Sequence, residues 1–343
     1  MQLTTTGFSD RLEIVEVPPN GKRASFAEDV SSGLTSTPKR LSSVFLYDDL
    51  GSALFDAITY LPEYYLTRAE TAILRESGWE IVRALEEPVE FLELGSGSAI
   101  KTRILIEEAL RAQGTLRYSP IDISVEALRV SASNLIDAYP TLNVRAYAAD
   151  YFDALESPKL ELGPRVLAMF MGSNIGNYTP TEANLLLTRI AQRLRPGDGL
   201  LLGADSIKDR QTLEAAYDDS VGLTAAFDKN ILARINREFG GTFDPRDFMH
   251  VAVYDDVRHS VDSYLEAKRA HRVQISALRT GTAKQGLEIA FIKGERIHTE
   301  SSYKFDRETI ERMANSAGFQ LSKVWTDSAN RFGVYLLING ATA

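Results

Sequence analysis

Between residues 89 and 205 the sequence alternates short apolar runs with amphipathic segments, and this alternation constrains the fold more than any other feature. The apolar runs have the length of strands, and the segments between them have the periodicity of helices. Strands that alternate with helices at this spacing predict a doubly wound, mostly parallel α/β sheet. The predicted strands are residues 89–94, 116–121, 144–148, 165–171 and 200–203, and the predicted helices are 101–112, about 125–139 and one starting at Pro180.

The start of the last of these helices is marked by capping residues. Thr179 is a good N-cap, Pro180 suits the first helical position, and Glu182 completes a capping box. Further upstream, the break Leu61-Pro62-Glu63 separates two predicted helices.

The alternation stops after Asp205, which predicts a second domain inserted into the first. Residues 209–240 are predicted to be helical throughout, and residues 243–303 to form short strands and turns. A helix at 307–317 and two strands at 321–326 and 332–338 then resume the sheet domain. The expected organisation is a second, discontinuous domain of residues 1–65 and 207–302, and a sheet domain of residues 66–206 and 303–343.

Composition excludes several classes of protein and site. A net charge of −9 disfavours nucleic acid and anionic membranes as partners, because both attract basic surfaces. The chain has no cysteine, so disulfides, thiol nucleophiles and thiolate metal sites are excluded. The four histidines are scattered and form neither a catalytic triad nor a metal-ligand spacing, so no metal is expected.

Targeting signals are also missing from the sequence. No apolar stretch approaches the roughly 20 residues that span a bilayer. The first 17 residues, MQLTTTGFSDRLEIVEV, are polar and acidic where a signal peptide would be basic and then apolar. We therefore expect a cytoplasmic protein, and no obligate protein partner is evident.

A glycine turn follows the first strand of the alternation, at Gly95-Ser96-Gly97. Glycines there let the backbone approach a ligand and adopt positive φ, although ordinary strand-to-helix turns use glycine too. The third glycine of the dinucleotide fingerprint is absent, and so is a Gly-Lys-Ser/Thr phosphate loop. Lys101, at the start of the next helix, is a further candidate cofactor ligand.

Acidic residues end the next two strands. Asp122 lies where a carboxylate can accept both ribose hydroxyls, and Asp150 lies where it can accept from an adenine amino group. Tyr151 is a candidate beside it. The alternative for either acid is a helix N-cap. A nucleoside site at strand ends without phosphate-loop chemistry suits S-adenosylmethionine.

Five longer motifs identify a family. They are LYDDLGSALFDAITYLPEYYLTRAE, LELGSGSAIKTR, GSNIGNY, AYDDSVGLTAAFDKNILARINREF and HTESSYKF. In order and content they resemble the histidine-specific Nα-methyltransferases of ergothioneine biosynthesis, from about residue 25 to the end. The resemblance implies a class I S-adenosylmethionine-dependent methyltransferase, with a Rossmann-like seven-stranded sheet and a second, discontinuous substrate-binding domain. It also implies conversion of L-histidine to its trimethylbetaine, hercynine.

The resemblance implies roles for individual residues. Asn177 and Tyr217 would hold the substrate carboxylate, since both carry neutral donors. Glu300 and Ser302 would hold the imidazole, and as i and i+2 of a strand they face the same way. Without the resemblance, Asn177 would be a loop residue, Tyr217 a surface aromatic, and Glu300 and Ser302 a solvated strand face.

Three further candidates complete the predicted substrate site. Tyr47 and Tyr64 match the family's two N-terminal tyrosines, with Tyr47 a candidate catalytic residue near the amine, and Gly172 opens the GSNIGNY motif. The sequence departs from the family's pattern at Asn174, where close relatives have threonine or serine. It departs again at Ser263, where one branch has a bulkier methionine against the ring.

The expected reaction is an in-line displacement at the sulfonium methyl carbon, in which the enzyme mainly positions a neutral amine. No general base is assignable from the sequence. Two other functions stay open, namely methylation of another amino acid such as a tryptophan derivative, and a non-catalytic ligand sensor.

Overall fold

The computed structural model describes residues 10–19, 21, 24–86, 88–280 and 283–340. Within these residues the strands are β1 (Leu12–Glu16), β2 (Lys39–Arg40), β3 (Glu90–Leu94), β4 (Leu116–Asp122), β5 (Leu142–Ala148), β6 (Val166–Phe170), β7 (Gly199–Asp205), β8 (Phe248–Asp255), β9 (Ser260–Ala267), β10 (His271–Thr280), β11 (Ala283–Phe291), β12 (Arg296–Tyr303), β13 (Phe319–Thr326) and β14 (Phe332–Asn339). The α-helices are α1 (Phe26–Thr35), α2 (Asp49–Ile58), α3 (Leu66–Arg83), α4 (Thr102–Gln113), α5 (Val125–Ala138), α6 (Tyr151–Glu156), α7 (Pro180–Arg193), α8 (Arg210–Tyr217), α9 (Leu223–Phe239) and α10 (Arg307–Ala317).

The chain divides into two compact units. Unit 1 consists of Met1–Asn20, Arg68–Ser206 and Phe305–Ala343, and unit 2 of Gly21–Thr67 and Ile207–Lys304. The sequence-based expectation placed all of residues 1–65 with the inserted segment. The structure differs in that β1 lies in the sheet of unit 1. Residues 1–9, on which the comparison with a signal peptide partly rests, lie outside the described residues.

The described part of unit 1 is built on a sheet with the strand order β1-β5-β4-β3-β6-β7-β14-β13. Strands β1 to β7 of this sheet run parallel, and β14 is antiparallel to β7 and to β13. From β3 the chain moves outward through β4 to β5, and it then returns to β6 on the other side of β3. Ligands of such sheets bind beyond the carboxyl ends of the strands at this reversal point.

The number of strands in this sheet corrects the prediction. Seven were expected, and the described residues contain eight, because β1 adds a parallel edge strand with Leu12 opposite Val144 and Glu16 opposite Ala148. The remaining order is that of the predicted class I fold. Helix α7 begins as predicted, since Thr179 and Glu182 form the reciprocal capping box.

In the described residues, unit 2 contains the sheet β2-β12-β9-β8 and the hairpin β10-β11. Helices α8 and α9 replace the single helical stretch predicted for residues 209–240. The break arises because the Asp219 carboxylate accepts the backbone N–H groups of Val221, Leu223 and Thr224 and so starts a new helix. Gly222 precedes that helix with a φ of +79°.

Candidate active site

The glycine turn of unit 1 follows β3, at the reversal point of the sheet. Gly95 and Gly97 have φ values of +74° and +49°, which side chains rarely adopt, so both glycines are required by the backbone. The Asp122 carboxylate holds the turn in place, because its Oδ2 accepts from Gly97 N–H at 2.8 Å and its Oδ1 from Ser124 N–H at 3.0 Å. The N-cap of α5 is Ser124, so Asp122 is not the cap that the alternative interpretation proposed.

Asp122 and Ser96 have hydrogen-bonding positions that could bind the hydroxyl groups of a nucleoside. A carboxylate has about four lone-pair positions, and within the described residues Asp122 uses two of them. Ser96 Oγ is buried and has no hydrogen-bond partner among those residues. Because buried polar atoms are normally hydrogen-bonded, Ser96 is an observation in favour of a ligand at the turn.

Glu93, two residues before Gly95, holds the start of the glycine turn through its side-chain hydrogen bonds. Its carboxylate is buried and accepts from Thr102 Oγ1 at 2.6 Å and from the Tyr118 hydroxyl. These bonds tie β3 to the first turn of α4 and to β4. Burial raises the pKa of Glu93 to about 7, although the hydrogen bonds from Thr102 and Tyr118 oppose the rise.

Lys101 is held by a residue that sequence reasoning missed. Glu70 of α3 is fully buried, and its carboxylate forms an ion pair with Lys101 and accepts from Gly172 N–H at 2.8 Å. It thereby joins the loop after β3 to the loop after β6. The sequence around Glu70 does not indicate this role, because Lys101 and Gly172, its partners, are distant in sequence.

Gly203 of β7 makes the burial of Glu70 possible. A Cβ atom at Gly203 would lie 2.1 Å from Glu70 Oε1 and 3.3 Å from Gly172 N. Real Cβ atoms do not approach so closely. The absence of a side chain at position 203 is therefore part of the Glu70–Lys101–Gly172 arrangement.

The remaining predicted residues of unit 1 lie at the ends of β5 and β6. Asp150 is the N-cap of α6 and accepts from Phe152 N–H at 2.8 Å, which is the alternative considered for it. Tyr151 shares a hydrogen bond with the Tyr178 hydroxyl. Asn177 ends the short 3₁₀ turn that follows β6 and is half-buried.

Asn174, one of the two departures from the family pattern, belongs to the same turn. Its Nδ2 lies 3.5 Å from where a Cβ of Gly95 would be and 3.8 Å from that of Gly172. Gly172 itself has a φ of +77°. Asn174 therefore packs its amide against the two glycines that open the loops after β3 and β6.

In unit 2 three predicted tyrosines form one aromatic cluster. The rings of Tyr64 and Tyr217 are 6.4 Å apart, and Phe55 lies 5.9 Å from Tyr64 and 5.5 Å from Tyr47. Phe227 of α9 closes the cluster at 5.3 Å from Tyr47. These edge-on contacts fix the directions of the phenol groups.

Glu300 and Ser302 lie on β12 as predicted, with Ser263 of β9 directly opposite Glu300. Directly opposite residues of an antiparallel pair share one face of the sheet. Ser302 is buried, and its Oγ lies 2.7 Å from the Tyr217 hydroxyl. The structure thus brings Tyr217, Glu300, Ser302 and Ser263 together, so the second departure from the family pattern lies beside the predicted ring ligands.

Burial raises the pKa of Glu300 to about 7. The nearby charge of Asp228 adds to the rise, whereas Lys304, His298 and His250 oppose it. Glu300 nevertheless keeps partial contact with solvent. A carboxyl group that is densely surrounded yet partly accessible has the character of a group that lines a concave site, not of a solvated strand face.

Tyr47 stays in its neutral form. Burial raises its pKa well above the ordinary value, and the neighbouring Glu300, Tyr64 and Tyr217 add to the rise. A phenol can orient an amine by accepting or donating a hydrogen bond. Its resistance to ionisation makes it a poor general base near neutral pH.

Two residues that sequence reasoning did not connect lie beside Glu300. His250 of β8 and Asp228 of α9 are both buried, with His250 Nδ1 2.7 Å from Asp228 Oδ2. His250 Nε2 lies 2.7 Å from the backbone carbonyl oxygen of Tyr217. The His250–Asp228 pair therefore holds the backbone of Tyr217 in place.

Strand order, the glycine turn and the acids at the strand ends define unit 1 as a class I S-adenosylmethionine-dependent methyltransferase. Comparison with known families refines this. A model described as "Histidine-specific methyltransferase, SAM-dependent" matches residues 26–339, and the chain belongs to that family.

Curated relatives agree with the family match. The chain is 40% identical over 310 residues to the histidine N-alpha-methyltransferase of Mycolicibacterium smegmatis, covering 90% of this chain and 94% of that one. It is 41% identical over 310 residues to the enzyme of the same name from Mycobacterium tuberculosis, covering 90% and 93%. It is 29% identical over 325 residues to N-methyltransferase benX of Aspergillus terreus, covering 91% and 87%.

None of the helices in the described residues is long and apolar enough to cross a membrane. In the same part of the chain, no group of three or more acidic or histidine side chains is arranged to hold a metal ion.

Proposed function

We propose that this protein transfers methyl groups from S-adenosylmethionine to the α-amine of free L-histidine and continues to the trimethylbetaine hercynine, a step of ergothioneine biosynthesis. The observation that carries the proposal is the half-buried carboxyl group of Glu300 beside Ser302 on one face of β12. A carboxyl and a hydroxyl group spaced in this way match the two nitrogens of an imidazole. Relatives named for histidine at about 40% identity over most of the chain support the same substrate.

The donor half is assigned to unit 1. Bound S-adenosylmethionine supplies the sulfonium methyl group. We assign the ribose hydroxyls to Asp122, which has lone pairs available, and the adenine to Asp150 and Tyr151. Gly95, Ser96 and Gly97 form the turn that approaches the ligand. Lys101, which Glu70 holds in an ion pair, offers its ammonium group to a carboxylate of the bound ligand.

The acceptor half is assigned to the tyrosine cluster and β12. Glu300 and Ser302 take the imidazole, Tyr217 donates to the substrate carboxylate, and Tyr47 and Tyr64 surround the amine. Asn177 and Gly172 of unit 1 remain predicted substrate ligands from the family resemblance.

The proposed role of these residues is to hold and orient the amine. An α-amino group has a pKa near 8, so much of the substrate arrives protonated and must lose a proton. Tyr47 orients the amine and does not act as the base, because its raised pKa keeps the phenol protonated. A cytoplasmic location remains a prediction.

Methylation of a different amine is the second candidate. The N-methyltransferase benX of Aspergillus terreus is 29% identical over most of both chains, so the fold accommodates relatives not named for histidine. A carboxylate at Glu300 would also accept from an indole N–H. A non-catalytic ligand sensor is the third candidate, and detection of turnover in an activity assay would exclude it.

Calorimetric titration with a panel of amino acids, in the presence of S-adenosylhomocysteine, tests the proposal. We expect histidine to bind at least tenfold more tightly than tryptophan or phenylalanine, because only its ring satisfies Glu300 and Ser302 together. Preference for an indole or a phenyl ring would contradict the assignment.

A further inference from the structure

Asn174 follows a tight turn of the chain after β6. Gly172 and Ser173 have φ values of +77° and +59°, so two consecutive residues adopt the left-handed conformation. The buried side chain of Ser173 holds this turn, because its Oγ accepts from the backbone N–H of Asp205 on β7 at 3.0 Å. The short 3₁₀ turn after β6 then begins at Asn174. The backbone from which the Asn174 side chain extends is therefore held on both sides.

The side-chain amide of Asn174 borders the open side of the glycine turn after β3. Its Nδ2 lies 3.5 Å from the position that a Cβ atom of Gly95 would take. Apart from the chain neighbours of Gly95, no other atom of the described residues lies within 4 Å of that position. At Gly97, none at all lies within 4 Å of the corresponding position. The turn therefore faces open space, and the amide of Asn174 lies at the edge of that space.

Lys101 lies beside the same amide. Lys101 Nζ is 3.3 Å from the position that a Cβ atom of Gly172 would take, and Nδ2 and Oδ1 of Asn174 are each 3.8 Å from it. Glu70 pairs with the Lys101 ammonium group, and the side chain of Glu70 is fully buried whereas that of Lys101 is partly exposed. An ammonium group has three N–H donors, so Lys101 can bind Glu70 and a ligand at the same time.

The order of the strands indicates which end of the donor reaches this place. Asp122 ends β4 and Asp150 follows β5, and both strands lie on one side of β3, whereas β6 lies on the other. With the ribose and adenine assigned to these two acids, the amino-acid end of S-adenosylmethionine extends across the end of β3 toward β6. The Lys101 ammonium group and the Asn174 amide lie there.

The chemistry of that end matches the two groups. It carries a carboxylate, whose two oxygens only accept hydrogen bonds. One oxygen can accept from the Lys101 ammonium group and the other from the amide N–H of Asn174. Glu70 already balances the charge of Lys101, so a neutral donor beside the ammonium group adds a hydrogen bond for the carboxylate without adding a second cation.

We propose that Asn174 is a further donor-binding residue, whose side-chain amide donates a hydrogen bond to the carboxylate of S-adenosylmethionine beside Lys101. This inference rests on the donor half of the proposed function. It concerns unit 1 alone, and its test needs no histidine.

A pair of donors that differ by one group tests the proposal. Decarboxylated S-adenosylmethionine keeps the adenosine, the sulfonium and the ammonium group, and lacks the carboxylate. Calorimetric titration of the full chain with each donor, without histidine, gives the two affinities. In Asn174→Ala we expect affinity for S-adenosylmethionine to fall about tenfold or more, as for a lost hydrogen bond to a charged group. Affinity for the decarboxylated donor should stay within about twofold.

The matched control is Asn134→Ala, at an exposed position of α5 in the same unit. It should leave both affinities within about twofold of those of the unaltered protein. Asn174 is half-buried, so its truncation should be tolerated, and the unfolding midpoint of each variant shows whether it is folded.

Asn174→Asp is the second variant, and it separates the two ends of the amide. It keeps the size of the side chain and an acceptor oxygen, but it replaces the N–H donors with a carboxylate. S-adenosylmethionine should bind to this variant more weakly than to Asn174→Ala, because two carboxylates then repel each other. The decarboxylated donor should bind at least as tightly as it does to the unaltered protein.

The possible failures are distinguishable. Equal losses for the two donors in Asn174→Ala, or no loss for either, would overturn this inference and leave the proposed function standing. Full affinity for S-adenosylmethionine in Asn174→Asp would mean that the amide accepts from the ammonium group, and would overturn it as well. Failure of the unaltered protein to bind S-adenosylmethionine would overturn the proposed function and this inference together.

Discussion

His250 donates from both of its ring nitrogens, to Asp228 Oδ2 at 2.7 Å and to the Tyr217 carbonyl oxygen at 2.7 Å. The carbonyl oxygen only accepts, and so does an ionised carboxylate, so with Asp228 ionised both distances are satisfied at once by the doubly protonated ring. Burial alone would lower the pKa of His250, but the hydrogen bond to Asp228 and its charge outweigh burial and raise it above its ordinary value.

Replacing His250 by glutamine should therefore destabilise the protein, by about 3–5 kcal/mol, because it leaves the buried Asp228 carboxylate without its cation. A histidine whose pKa is raised by folding contributes stability that is fully present below its unfolded pKa, near 6.5, and is lost as pH rises through the folded pKa. The difference between the two proteins in free energy of unfolding should thus be largest at pH 6 and shrink by pH 9.

Urea unfolding at several pH values measures this difference, with His259→Asn as the control. His259 is exposed and has a φ of +52°, which asparagine tolerates. The control should change stability by no more than about 0.5 kcal/mol. A loss for His250→Gln that does not depend on pH would mean that the ring is neutral in the folded protein.

The second prediction concerns Gly203. In Gly203→Ala the new Cβ would displace Glu70, which holds Lys101 and Gly172 N–H. We expect weaker binding of S-adenosylmethionine and a loss of about 1–3 kcal/mol in stability. Gly286→Ala is the matched control, because the nearest atom to its Cβ would be Ile275 O at 3.9 Å. Equal behaviour of the two variants in binding and unfolding would show that Glu70 is not needed at the donor site.

The sequence predicts the sheet of unit 1 well because its parallel strands are short and largely buried, with β6 (VLAMF) a continuous apolar run, and amphipathic helices separate them. Strand β1 was missed because its sequence, LEIVE, is short and lies at the edge, where only one neighbour buries it. The break between α8 and α9 was missed because the apolar positions on either side of it were assigned to one helix. The helices are separated by the Asp219 side chain, which accepts from three N–H groups, and by Gly222 with its positive φ.

The site was predictable where its residues lie at strand ends or in long motifs. Lys304 could also have been found, since Glu300, Ser302 and Lys304 have the i, i+2, i+4 spacing of one strand face. Glu70 and the His250–Asp228 pair could not be found in this way. Their partners are far away in sequence, and neither charge stands out from the helix or strand that carries it.

The third prediction concerns Asp122. Asp122→Asn retains an acceptor for one N–H but loses the charge and an acceptor toward the ribose. Affinity for S-adenosylmethionine should fall by about 1.5–3 kcal/mol, the usual value for a hydrogen bond to a charged group. Calorimetry measures it, with the exposed Glu126→Gln of α5 as the control of equal charge change. Unchanged affinity in Asp122→Asn would place the ribose elsewhere.

The fourth prediction concerns selectivity. Glu300→Ala should weaken histidine binding by about 1.5–3 kcal/mol, roughly 10- to 150-fold, and narrow its advantage over tryptophan and phenylalanine. Affinity for S-adenosylmethionine should not change. Glu288→Ala, at an exposed position of β11, should leave all affinities within about 0.5 kcal/mol. If histidine keeps both its affinity and its advantage in Glu300→Ala, the imidazole lies elsewhere.

The most direct test of the account is the product formed from histidine with excess S-adenosylmethionine, identified by mass spectrometry with fragmentation to locate the methyl groups. The two ends of the substrate are proposed to be held separately, by Tyr217 and by Glu300 with Ser302, so the amine can turn between transfers. The account predicts that the product carrying three methyl groups on the α-nitrogen accumulates. A product that stops at one methyl group, a methyl group on the ring, or no methylated histidine at all would contradict it.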